Sequence, residues 1–276
     1  MVAIKIAEVS QYIERKFYSF HNGRLKSLKI FKFNDVLIRK NPYLFKVKNV
    51  LLTGDLVQTL LDEYLSSQEE TIFGNFLEGL AIFVNEKVYQ GWKSSTQGID
   101  LEFNKDNIRY IVAIKSGPNW GNSSQVRKMR DDFRKAKQTI HTSNSNIHVV
   151  AVNGCCYGKN SKPDKGDYYK YCGQKFWDFI SGNSDLYLKI IKPLGYSARE
   201  KIDEFSEKYA QMVNKFTLEF SGKFVVNGKI NWDALVQFNS AEVSQNLKNN
   251  NYLHPKPTPP LIPDESLRHD HKNRDR

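Results

Sequence analysis

Asp100 and Lys115 lie on two segments of alternating character, Ile99-Asp100-Leu101-Glu102-Phe103 and Ile108 to Ser116, joined by the turn-forming run Asn104-Lys105-Asp106-Asn107. The pattern predicts a β-hairpin. With the turn centred on 104–107, Asp100 falls opposite Ile111, and the two-residue period puts Asp100, Glu102, Ala113 and Lys115 on one face. A carboxylate beside a lysine suits a hard divalent cation such as Mg²⁺. The lysine can orient or deprotonate a water and balance charge at phosphate. This is the minimum equipment for metal-dependent phosphodiester hydrolysis. A further carboxylate, Glu78, is expected on the flank of a helix over 71–84 that turns Phe73, Phe76, Leu77, Leu80 and Ala81 inward.

The elements that must position these groups follow from periodicity. Ile6, Val9, Ile13, Phe17 and Phe20 form a helical apolar stripe. Helix signals pause from Gly23 to Pro42, where Leu28, Ile30, Phe31 and Phe33 suggest an extended piece, and resume at Asp55 before Leu56, Leu60, Leu61, Tyr64 and Leu65. Residues 1–67 therefore read as a helical arm, whose excess apolar stripes suit dimerisation. After Gly117-Pro118 ends the hairpin, a helix from Ser124 buries Val126, Met129, Phe133, Ala136 and Ile140, and its outer face is basic. Ile147 to Val152 reads as a buried strand. Gly154 to Gly173 reads as a long loop, too long to be a neutral connection. Short helices at 174–180 and 185–191, a longer one at 198–220 and a last one around Trp232 complete a domain at 68–248. From 249 the Pro-rich, charged tail is expected to be disordered.

Charge narrows the partner. Of a net +11, a surplus of nine lies between Lys105 and Lys175, where 14 Lys/Arg face 5 Asp/Glu, as a phosphate-rich ligand requires. Arg127, Lys128, Arg130 and Arg134 on the helix, and Lys159, Lys162, Lys165 and Lys170 in the loop among Tyr157, Tyr168, Tyr169 and Tyr171, are the candidate phosphate contacts. Asn160 or an arginine elsewhere is a candidate reader of base edges. No apolar run is long enough for a membrane span, and the N-terminus has no secretory pattern. The sequence thus predicts a soluble, cytoplasmic protein. Cys155, Cys156 and Cys172 have neither disulfide nor zinc-ribbon spacing and read as packed thiols, and the histidines show no metal or catalytic spacing.

The order Glu78, Gly98-Ile99-Asp100-Leu101-Glu102, Val112-Ala113-Ile114-Lys115-Ser116-Gly117 and then Gln125 resembles the PD-(D/E)XK nuclease core. From Glu70 to Gly195 the chain is similar to type II restriction endonucleases of the PmeII-like group, most clearly at Ile114-Lys115-Ser116-Gly117-Pro118-Asn119-Trp120 and Gly173-Gln174-Lys175-Phe176-Trp177. The resemblance implies an α/β fold with a mixed sheet flanked by helices. It also implies a homodimer that cuts both strands of duplex DNA at a short site with Mg²⁺, leaving 5′-phosphate ends, beside a cognate methyltransferase. Gln125 would sit near the metal site.

One departure matters chemically. The position two before the lysine, usually acidic in that superfamily, is Ala113. Glu78 is the first substitute and Glu102 the second, so the expected metal set is Asp100, Glu78 and Glu102, with Lys115 catalytic. The alternatives are a structure-selective or repair-type nuclease on the same core and a DNA-binding relative that has lost catalysis.

Overall fold

The structure, a computed structural model, describes residues 3–143, 145–195 and 199–242, with residues 199–201 traced by backbone alone. The tail expected to be disordered lies outside these residues. The chain divides into Met1–Asn239 and Ser240–Arg276, and of the second unit only residues 240–242 are described.

A five-stranded sheet runs β1(Trp92–Lys93), β2(Leu101–Lys105), β3(Ile108–Lys115), β4(His148–Cys155) and β5(Tyr169–Cys172) in that spatial order. The first three strands are antiparallel, and β4 and β5 join in parallel, so the expected mixed sheet is present. The hairpin turn is tighter than its sequence suggests. Lys105 pairs with Ile108, and Asp106 and Asn107 alone make the turn with φ of 50° and 62°. These are left-handed conformations that Asp and Asn tolerate in two-residue hairpins. Leu101 therefore faces Val112 and Glu102 faces Ile111. This corrects the expected pairing of Asp100 with Ile111, which came from placing the turn over four residues instead of two.

The sheet's two faces meet different helices. Leu101, Phe103, Val112, Ile114 and Val152 pack against Val9 and Ile13 of α1(Ile6–Ile30), the second half of α4(Thr53–Tyr89), and Phe176, Trp177 and Ile180 of α6(Gln174–Ser181), with Leu186 of α7(Leu186–Lys189) in the same core. Ile111, Ala113, Val149 and Ala151 pack against Met129, Phe133 and Ala136 of α5(Ser123–Ser143). The approach of α6 requires Gly154 in β4, because a Cβ there would lie 2.1 Å from the Phe176 ring.

Three sequence expectations change. Residues 23–42 are not extended: α1 continues to Ile30, and α2(Phe33–Leu37) follows one turn before α3(Pro42–Val47). The helices expected at 55–65 and 71–84 are one helix of 37 residues, α4, about 55 Å long by its rise per residue. Its polar middle, Ser66-Ser67-Gln68-Glu69-Glu70, lacks Gly and Pro, so nothing interrupts it. The division drawn at 67 falls inside this helix. The loop 154–173 contains β5 and is braced within itself, since parallel pairing of β5 with β4 supplies hydrogen bonds that spacing alone does not reveal.

The first half of α4 belongs to a second core. Leu56, Val57, Leu60, Leu61 and Leu65 join Leu28, Phe31, Phe33 and Val36 with Phe216, Phe220 and Phe224 of α8(Arg199–Phe224). A two-stranded ribbon, β6(Val225–Val226) and β7(Lys229–Ile230), and α9(Trp232–Ser240) close this helical half, with Ile230 and Leu235 in its core.

Candidate active site

The site forms where β2 begins, β3 ends and α4 passes. Gly98, at φ +77°, turns the chain into β2 against α5, where a Cβ would meet the Asp132 carboxylate at 2.4 Å. Asp100 then leaves the regular ladder. Its N–H donates to Val112 O at 2.9 Å, and its Oδ2 accepts the Ile114 N–H at 2.6 Å, so it straddles Ala113. Lys115 Nζ stands 3.9 Å from the same Oδ2. Ala113 is 1% exposed and packs into the α5 core, which explains the missing acid: in this chain the position is a packing site.

Burial pushes the Asp100 carboxyl above its usual range. The Ile114 N–H and the Lys115 charge pull it down, the Glu78 charge pushes it up again, and Lys93 pulls it down. Glu78, from α4, is thus close enough for the two carboxylates to repel, and Lys93 of β1 pairs with Glu78 at 3.5 Å. Glu102 is held elsewhere. It is buried, bonded to Arg109 Nη1 at 3.1 Å and to the Ser94 hydroxyl at 2.6 Å. Gln125 accepts the Asn122 N–H at 2.9 Å while its own N–H donates to Asn122 Oδ1 at 3.0 Å, a reciprocal cap at the start of α5.

Among the described residues no group of three His, Cys, Asp or Glu side chains stands ready to hold a metal ion. The donor chemistry nevertheless fits a hard cation. Two neighbouring carboxylates, one of them half-buried and raised first by that burial and then by the other's charge, would both be relieved by a divalent ion, whose remaining sites water and phosphate oxygens can fill.

The expected DNA-contacting cations divide into two groups. On α5, Lys128 pairs with Asp132 at 2.8 Å, Arg130 with Asp167 at 2.7 Å and Arg134 with Asp131 at 3.1 Å, whereas among the described residues Arg127 has no ion pair. Lys159, Lys162 and Lys165 are exposed on the β4–β5 connection. Asn160 donates to Lys162 O and Lys170 O, and Lys170 Nζ donates to Pro118 O at 2.7 Å, so these two brace the loop. Cys155, Cys156 and Cys172 are buried free thiols, and burial first, then Cys172, pushes Cys155 up to about 12. Sequence reading missed Lys93, Ser94 and Asn153. Each acts through a partner distant in sequence, although Asp132 four residues after Lys128 was a readable i,i+4 signal.

A mixed sheet flanked by helices, with an acid and a lysine at one end and a helix carboxylate close by, defines an α/β protein. Comparison with known families then places it. The family model described as Type II restriction endonuclease EcoO109I matches residues 7–202, the greater part of the chain, and the chain belongs to that restriction endonuclease family, nucleases that act on DNA. The match runs from α1 into the start of α8 and takes in the whole sheet. No curated protein matches the chain. No helix among the described residues is long and apolar enough to cross a membrane.

Proposed function

We propose that the protein is a Mg²⁺-dependent type II restriction endonuclease of the PD-(D/E)XK superfamily, with the PmeII-like pattern at Ile114–Trp120 and Gly173–Trp177, cutting both strands of a specific duplex site. The observation that carries this reading is the Asp100 carboxylate, fixed by the Ile114 N–H beside Lys115 Nζ and within reach of the Glu78 charge. Asp100 and Glu78 would hold the Mg²⁺, which when bound supplies Lewis-acid polarisation of the scissile phosphate and charge neutralisation. Lys115, at the strand end, positions the attacking water and meets charge as it develops on the phosphate. Hydrolysis leaves 5′-phosphate and 3′-hydroxyl ends. Glu102, engaged by Arg109 and Ser94, fixes the hairpin in place.

Arg127, Lys159, Lys162 and Lys165 are the exposed cations assigned to phosphate contacts, and Lys128, Arg130 and Arg134 would have to exchange their carboxylate partners for phosphate. Residues 1–67 are assigned to dimerisation, because a two-fold symmetric duplex site suits a two-fold symmetric protein. Val47 and Leu51 there are 83% and 71% exposed. Such an enzyme works in the cytoplasm beside a cognate methyltransferase that protects host sites.

Incubation with plasmid and phage DNA in Mg²⁺ or EDTA, followed by end-sequencing, tests the reading. Discrete Mg²⁺-dependent fragments with 5′-phosphate ends are expected. A smear would indicate a structure-selective or repair-type nuclease, and binding without cleavage an inactive relative.

A further inference from the structure

Lys115 must be held as well as charged, and Asp100 alone does not hold it. At 3.9 Å their contact is an ion pair too long for a hydrogen bond, and a lysine stem leaves the ammonium several rotamers. The second neighbour is Trp120, whose ring centroid lies 5.4 Å from Lys115 Nζ, within the range in which an indole face attracts a cation. Trp120 stands in the connection between β3 and α5, where a side chain could swing. It is pinned: its indole N–H donates to Asn153 Oδ1 at 3.1 Å. Asn153 is 1% exposed in β4, directly opposite Ala113, and its Nδ2 donates to Ala113 O at 3.2 Å.

We infer that Trp120, anchored by Asn153, is a positioning residue for Lys115. The contacts run from the backbone of Ala113 through the Asn153 amide and the indole to the ammonium. They connect the middle of the sheet to the lysine at its end. A buried amide satisfied at both ends is a rigid support, because breaking either bond strands a polar group in the core. The inference rests on the catalytic reading of Lys115 and adds to it two residues from outside the acid–lysine motif.

The test uses the full-length protein and a duplex containing the site mapped by digestion. Single-turnover cleavage, duplex affinity in EDTA and thermal midpoint are measured for wild type, Lys115→Ala, Trp120→Phe, Trp120→Leu, Asn153→Ala and the Trp120→Leu/Asn153→Ala pair. Trp120→Leu should cut about tenfold more slowly with affinity unchanged, and Trp120→Phe, which keeps an aromatic face but loses the same indole bond, should recover part of the rate at the same thermal midpoint as Trp120→Leu. Asn153→Ala should slow cleavage, and the double variant should be no slower than Trp120→Leu alone, since both act through one contact. If Trp120→Leu cuts at the wild-type rate while Lys115→Ala is inactive, the positioning role is refuted. Equal rates for the Phe and Leu variants would likewise refute it, reducing Trp120 to packing. Cleavage retained in Lys115→Ala would remove the catalytic lysine itself, and the inference with it. Should Asn153→Ala fail to fold, the two Trp120 variants still decide.

Discussion

The two halves of α4 lead into two kinds of protein interior. Around its first half the buried residues are almost all apolar, and aromatic pairs such as Phe31 with Phe216 and Phe33 with Phe216 make the contacts between distant segments. Around its second half the sheet buries Glu102, Asp132 and Asn153, each matched to a partner: Arg109, Lys128 and Trp120. A greasy interior can be assembled from many sequences of suitable volume, whereas a buried polar group needs its partner in place. One half is therefore suited to stability, and the other restricts geometry as the proposed chemistry would require.

Variants that separate the two should fail in different ways. The largest effect is expected at the sheet: Lys115→Ala or Asp100→Ala should lower cleavage by about 10³-fold or more while leaving most duplex binding, measured by single turnover and by gel shift. In the helical half, Phe216→Ala should destabilise by about 3–5 kcal/mol in denaturant unfolding, yet its folded fraction should cut at the wild-type rate. A folded Phe216→Ala protein with slow chemistry would mean that the division is wrong. Within the sheet half, Glu78→Gln should reduce cleavage about a hundredfold and Glu102→Gln only a few-fold. The Glu102 variant should instead lower the thermal midpoint, because it leaves Arg109 without its carboxylate. Reversed ranks would transfer the metal-binding role to Glu102.

The sequence made the meeting of Asp100 and Lys115 more legible than the helical architecture. Asp100, Lys115 and the hairpin were readable because alternation marks a half-buried strand pair, and a lysine at the end of an apolar run stands out. The register was off by two, since Asp106 and Asn107 can turn the chain alone. The polar middle of α4 hid its continuity, because helix propensity there outweighs the loss of the apolar stripe. Asn153 gave no sign at all: its importance depends on lying beside Ala113 across a parallel ladder, a pairing that local sequence does not encode. The basic face of α5 was readable as charge, but its pairing with Asp167 from another segment was not.

The smallest expected effect concerns the carboxyl that the sheet half holds at Asp100. Burial raises the Asp100 carboxyl above its ordinary 3.8, so the folded protein retains a proton that the unfolded chain has released in the interval between 3.8 and the raised value. Stability must then fall as pH rises through that interval, and the loss is complete above the folded value. Asp100→Asn keeps an acceptor for the Ile114 N–H and removes the buried charge. In EDTA at pH 8 its thermal midpoint should lie slightly above that of wild type, and the gap should close as the pH falls towards 4. Mg²⁺ should raise the wild-type midpoint and leave the Asn variant nearly unmoved, because the ion binds the folded carboxylate pair. A wild type that is the more stable protein in EDTA at pH 8 would show that Lys115 and the Ile114 N–H already compensate the charge, leaving the cation nothing to relieve.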